Sequence, residues 1–169
     1  KIIAAASDTQ PLAEQADPAQ RVYLVPAFTG LGAPYWDAEC RGAIFGLTRS
    51  TGPAEIAKAA LESVGYQTRD LLEAMRADWG TEAQGVLRVD GGMSTNSVFV
   101  QALADVTGRT VEVSPVRDAT AVGAALLAGL AIGVWNDWTE VEATWRPTVA
   151  VEPRPGFDRA AARSKWSRA

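Results

Sequence analysis

The chain contains no histidine and only one cysteine, Cys40. Without imidazole there is no histidine metal site and no Ser-His or Cys-His catalytic pair. A lone cysteine excludes an internal disulfide and fits a reducing cytoplasm. There is no excess of basic charge. Lys and Arg number 16 against 20 Asp and Glu, a net charge of −4. That balance argues against a general nucleic-acid binder, which needs a basic face. No apolar run reaches the ~20 residues of a membrane helix. The longest, residues 119–134, is rich in alanine and glycine and reads as a packed helix. The first residues, Lys1-Ile-Ile-Ala-Ala-Ala-Ser7, lack an initiator methionine and the long apolar core of a signal peptide. They read as the interior of a longer chain, the tail of a helix begun before Lys1 and interrupted at Pro11 and Pro18.

What is present is a globular composition. With 169 residues, 47% hydrophobic and 21% charged, the chain suffices for one domain with a sizeable core. The stretch around which the rest is organised is Val86-Leu-Arg-Val-Asp-Gly-Gly-Met-Ser-Thr-Asn96. The short apolar run at 86–89, punctuated by Gly85 and by Gly91-Gly92, predicts a buried strand. Ser94 is the expected cap of a helix whose apolar positions Val98, Phe99, Ala102, Leu103 and Val106 recur at helical spacing up to Gly108. Residues 90–96 are thus a tight turn from the C-terminal end of a strand into a helix, the edge of an α/β sheet where ligands sit. Adjacent glycines admit a ligand to the backbone, and the free N–H groups of a helix start favour anions or polar ligand atoms. A Gly-Gly turn also occurs as plain turn chemistry, and Asn96 as an ordinary residue of a first helical turn, so the case for a nucleotide rests on the surroundings.

Before this stretch, residues 22–26 and 43–47 predict short strands. Between them lies an irregular loop, 27–42, carrying Phe28, Tyr35 and Trp36, which is either functional or pinned by its aromatics; Arg41 and Asp37 could pair across it. Gly52-Pro53-Ala54-Glu55 starts a long helix that ends at Trp79-Gly80, with Ile56, Ala60, Val64, Leu71 and Met75 marking its inner face. Glu62, Tyr66, Gln67 and Arg69 are expected to be solvated or locally paired. After it, residues 110–113 predict a strand. Asp118 caps a helix over 119–131 whose small residues suit close packing. Trp135, Trp138 and Trp145 suggest a cluster at a core edge. Residues 146–169 read as a linker and C-terminal tail ending in a short basic helix from Phe157, docked back or frayed. Alternation of helix and strand from Pro53 onward implies an α/β fold with helices on a mixed or parallel sheet, and so few strands imply that leading strands are missing.

Several of these segments resemble one family. Gly42-Ala-Ile-Phe-Gly-Leu47, then Glu55-Ile56, then Ala59-Ala-Leu-Glu62 is similar to a signature of the FGGY carbohydrate kinases. The loop Pro26-Ala-Phe-Thr-Gly-Leu-Gly-Ala-Pro-Tyr-Trp-Asp37 with Arg41-Gly42 resembles the glycerol-phosphorylating branch. So do Tyr66-Gln-Thr-Arg-Asp70, Leu87-Arg-Val-Asp-Gly-Gly92 and Thr120-Ala-Val-Gly-Ala-Ala-Leu-Leu-Ala-Gly-Leu130.

The resemblance covers residues 22–134 and implies a partial actin-like, ribonuclease-H-like domain. The chain would be the C-terminal part of the second, nucleotide-binding domain, with the N-terminal substrate domain absent. It implies ATP or ADP as cofactor, with Gly91, Gly92, Met93 and Asn96 at the nucleotide. Met93, Ser94 and Thr95 differ from the small residues of some members, which backbone contacts tolerate. It places the Mg²⁺ ligands, the catalytic base and the phosphate loops outside this segment, so this piece alone would be inactive. The parent would be a cytoplasmic enzyme making sn-glycerol 3-phosphate, meeting glycerol through its upstream domain, and homo-oligomeric. The alternatives are another FGGY kinase, acting on xylulose or gluconate, or a non-catalytic module binding adenine nucleotide.

Overall fold

A computed structural model describes residues 3–80 and 85–168. Its longest element is the helix α2, Pro53–Trp79, of 27 residues; α1 (Thr9–Ala13) and the strands β1 (Tyr23–Val25) and β2 (Ala43–Phe45) precede it. The predicted start and stop of α2 both form. Gly52 is extended, Pro53 occupies the first helical position, and Glu55 accepts the Gly52 N–H at 2.8 Å. At the other end Gly80 adopts φ 71°.

The predicted inner face of α2 forms only in part: Val64 packs on the main core, but none of the five predicted positions is fully buried. The buried residues are Ala57, Ala59, Leu61, Ser63, Gly65 and Tyr66, whereas Leu71 is 40% exposed. The helix is gripped on one side by α1 and α3 (Ser97–Thr107) and elsewhere by β1. Contacts from several directions leave no single apolar stripe. Tyr66 is the clearest departure from the expectation of a solvated residue. It stacks on Trp166 at a centroid distance of 4.9 Å and tilts against Tyr23.

After α2 come β3 (Leu87–Val89), α3, β4 (Val111–Val113), α4 (Ala119–Ala131), α5 (Trp138–Glu142), β5 (Val149–Val151) and α6 (Arg159–Trp166). β3 and β4 are parallel, with Leu87 opposite Val111, and β5 adds antiparallel to β4. β1 and β2 form a separate antiparallel pair. The sheet is therefore mixed, as expected, with helices packed on it. Ala57 and Leu61 meet Phe99, Val100, Leu103, Val111 and Val113 in the main core. Each large side chain among them stabilises the fold by about 1.5–3 kcal/mol.

Four further expectations need correction. The stretch read as a linker contains β5, which Arg146-Pro147 and Arg154-Pro155 bracket; breakers on both sides suit a short edge strand. The tail beyond it is docked, one of the two arrangements expected of it, with Trp166 buried. The N-terminal segment is not the end of a long helix. Asp8 accepts the N–H groups of Ala4 and Ala5, and α1 begins only at Thr9, with Pro11 in its first turn where a missing N–H costs nothing. Lys1 and Ile2 lie outside the described residues. The tryptophans do not cluster. Trp135 packs by Gly129 and Trp138 is largely exposed, while Trp145 lies under Arg88 and donates to Glu112. The helix α4 buries only Gly129 and leaves Val122 and Leu127 exposed.

The loop 27–42 is held by its own backbone and by the Tyr35 hydroxyl, which donates to Asp70 on α2 at 2.9 Å. Leu31 and Asp37 exchange both N–H bonds, at 2.7 and 3.0 Å. Asp37 also accepts from the N–H groups of Glu39 and Cys40. Arg41 bonds the carbonyls of Ala38 and Cys40 instead of pairing with Asp37.

Candidate functional site

The parallel pairing of β3 and β4 brings their C-terminal ends to one edge. Ser114 N–H donates to Val89 O at 2.8 Å, which aligns the turn at 90–96 with the loop 114–118. Asp118 closes that second loop by capping α4 at the Ala121 N–H. Two strand ends, each followed by a helix, thus face the same side, the arrangement in which α/β sheets take ligands.

Within the turn, Gly91 has φ 82°, a left-handed conformation that L side chains adopt only with strain. Gly92 opens a short 3-10 turn, Gly92–Thr95. A methyl group built on either glycine meets no atom within 4 Å, so the backbone here faces open space. Met93 is 43% exposed beside it. The turn is stiffened from below: the buried Ser94 hydroxyl donates to Gly91 O at 2.7 Å, and the Thr95 hydroxyl to Gly92 O at 2.9 Å. The N–H groups of Gly92 and Met93 donate to nothing among the described residues.

The helix cap is Asn96, not Ser94. Asn96 is extended, at φ −88° and ψ 111°, and its Oδ1 accepts the Phe99 N–H at 3.1 Å. The Asn96 carbonyl accepts from Val100 N–H, and Gln10 Oε1 accepts from Ser97 N–H at 3.1 Å. The start of α3 is therefore largely satisfied by protein groups. The expected free N–H groups belong to the 3-10 turn, one step earlier in the chain. Asn96 Nδ2 donates to Thr9 Oγ1 at 3.4 Å, and one amide hydrogen remains beyond that bond.

The candidate residues thus divide. Gly91, Gly92 and Met93 form a continuous open run, and Asn96 stands half-buried behind it with its amide oriented by two partners. Thr9 and Gln10 were beyond sequence reasoning, because each reaches its partner across 87 positions and no local pattern marks them.

The turn presents an open surface at Gly91 and Gly92. A recess of 540 Å³ lies between α2 and the C-terminal segment, lined in part by Arg21, Glu62, Tyr66, Arg154 and Phe157. Burial pushes the Glu62 carboxyl above its ordinary range, although Lys58 at 4.0 Å and Arg21 oppose the shift. Burial raises the Tyr66 phenol too, and the nearby Glu62 adds to it. Arg69 is paired with Glu73 at 2.9 Å and reaches Arg159 O.

Among the described residues no three Asp, Glu or Cys side chains converge to hold a metal ion. No described helix is long and apolar enough to cross a membrane.

Comparison with known proteins shows the family. Residues 2–132 match the family model for the FGGY family of carbohydrate kinases, C-terminal domain. Glycerol kinase of Cereibacter sphaeroides (strain ATCC 17025) is 55% identical over 170 residues, covering 100% of this chain and 34% of that protein. Glycerol kinase of Roseobacter denitrificans is 60% identical over 141 residues, 83% of this chain and 28% of that protein. In structure, Plasmodium falciparum glycerol kinase with ADP superposes with a TM-score of 0.89 at 32% identity, over 99% of this chain and 33% of that one. Xylulose kinase from Lactobacillus acidophilus has the same fold, with a TM-score of 0.80 at 24% identity, over 98% of this chain and 34% of that one. The chain spans about one third of the length of the relatives it matches. By the family match and the shared fold, it belongs to the FGGY family of carbohydrate kinases and carries that family's C-terminal domain.

Proposed function

We propose that this chain is the nucleotide-binding C-terminal part of a glycerol kinase, an enzyme that transfers the γ-phosphoryl group of ATP to glycerol, giving sn-glycerol 3-phosphate and ADP. The observation that carries the reading is the open Gly91-Gly92 backbone at the C-terminal edge of the sheet. Support comes from the proteins it resembles, which are named glycerol kinase, and from a structural neighbour described with ADP.

In this reading Gly91 reverses the chain and Gly92 leaves room for the adenine nucleotide. The N–H groups of Gly92 and Met93 and the remaining amide hydrogen of Asn96 supply donors to it. Phosphoryl transfer is catalysed by positioning and charge neutralisation, and Mg²⁺ supplies the latter when bound. This chain contributes the positioning. The catalytic base, the glycerol site and the phosphate loops belong to the remaining two thirds of a kinase of the relatives' length, which would act in the cytoplasm as a homo-oligomer.

The test is ADP release by the full-length gene product with glycerol, xylulose, gluconate and erythritol in turn. A rate that depends on glycerol supports the proposal. Turnover with another polyol alone keeps the family and replaces the substrate. Nucleotide binding without turnover on any of them makes the chain part of a binding module.

A further inference from the structure

The helix α1 is short, but it is firmly held. Ala13 is 4% exposed and Leu12 packs on the main core against α2 and α3. This anchoring presents two consecutive polar side chains, Thr9 and Gln10, to the start of α3. Gln10 Oε1 accepts from Ser97 N–H at 3.1 Å. Thr9 Oγ1 donates its only hydrogen to Ala6 O at 2.6 Å, so toward Asn96 Nδ2, at 3.4 Å, it is an acceptor. The direction of that chain of bonds has a consequence. With the Thr9 hydroxyl committed as an acceptor and the Phe99 N–H as a donor, the amide of Asn96 has one orientation, with Oδ1 turned into the helix and Nδ2 turned away from it. A flipped amide would face donor with donor at Phe99 and leave an acceptor opposite a lone pair at Thr9.

We propose that Thr9 and Gln10 are positioning residues for the nucleotide turn. They fix the Asn96 amide and seat the first turn of α3 directly behind Gly91 and Gly92. The inference rests on the proposed nucleotide site and assigns no contact between α1 and the ligand. Its chemistry is that of preorganisation: donors aimed before the ligand arrives need no reorientation when it binds. Loss of one net hydrogen bond, at about 0.5–1.5 kcal/mol, corresponds to about a 2- to 12-fold change in affinity.

The experiment uses the full-length protein with Thr9→Val, Thr9→Ser and Gln10→Leu, reading ADP affinity by calorimetry, KM for ATP and for the alcohol, kcat, and the thermal midpoint. Thr9→Val keeps the shape and removes the acceptor; Thr9→Ser keeps the acceptor. The expected result is a rise of about 3- to 10-fold in the ADP Kd and in KM for ATP with Thr9→Val and with Gln10→Leu. The KM for the alcohol should stay within about twofold, and Thr9→Ser should restore nucleotide affinity. Variants that lower the thermal midpoint but bind ADP as the wild type does overturn the inference, because α1 would then be a structural brace only. A wild-type protein that binds no ADP overturns the nucleotide site itself, and this inference with it.

Discussion

Trp166 Nε1 donates to Asp70 Oδ2 at 2.7 Å, joining the last helix to the longest one across 96 positions of sequence. The same oxygen accepts the Tyr35 hydroxyl at 2.9 Å, so one carboxylate ties both α6 and the loop 27–42 to α2. Trp166→Ala removes this bond and the stack on Tyr66, and should cost about 3–4 kcal/mol in urea unfolding. Trp166→Phe keeps most of the packing and should cost about 1 kcal/mol, the net value of the hydrogen bond.

Asp105 is a second anchor for the C-terminal segment. It is fully buried and accepts from the backbone and guanidinium of Arg154 and from Gln101, at 2.6–3.0 Å. Asp105→Ala leaves these donors without their acceptor. The expected loss is about 2–3 kcal/mol, below that of a fully buried pair because the Arg154 side chain is 64% exposed. Equilibrium unfolding measures it, and a variant as stable as the wild type would contradict the anchoring role.

Titration offers an independent check on the packing of α2. Burial and the neighbouring Asp70 push the Tyr35 phenol up to about 12, and burial raises Tyr23 and Tyr66 as well. Each phenol holds its proton more tightly in the folded chain than in the unfolded one. The stability this contributes is complete below the unfolded value of 10 and is lost as pH rises toward 12. The urea midpoint should fall over that window, with tyrosinate absorbance appearing later than in the unfolded protein. Coincident titration in both states would contradict the burial of Tyr23 and Tyr66 and the bond from Tyr35 to Asp70.

Glu62 runs the same sign at lower pH. Burial raises its folded pKa, so its protonated form is favoured by folding, and that contribution fades as pH rises through the folded value. Glu62→Gln should therefore raise stability at pH 8 and change it little at pH 4. Destabilisation at pH 8 would show that the Lys58 pairing outweighs the burial of the carboxylate.

The legible parts of the fold were those written locally. Gly52-Pro53 and Gly80 delimit α2 through backbone rules that need no neighbour. Asp118 caps α4 for the same reason. Burial was harder to read where an element is contacted from several directions. Tyr66 lies on a polar-looking stretch of α2, and Tyr23 and Trp166, both distant in sequence, pack against it. β5 is three residues between prolines and becomes a strand only because β4 offers it an edge. The site divides in the same way. The Gly91-Gly92 turn could be placed from its punctuation. The identity of the cap could not, because Ser94 and Asn96 are both good capping residues, and the tight Gly92–Thr95 turn moves the helix start to Asn96.

The central claim is that the open backbone at Gly91-Gly92 receives adenine nucleotide. ADP titration of the full-length protein, comparing wild type with Gly92→Val, tests it most directly. Gly92 is outside the left-handed region and a Cβ there meets nothing within 4 Å, so the variant should fold with a thermal midpoint close to that of the wild type. The account predicts that it binds ADP at least about tenfold more weakly, a difference of about 1.4 kcal/mol. Equal ADP affinity in a folded Gly92→Val protein would contradict the account and place the nucleotide elsewhere.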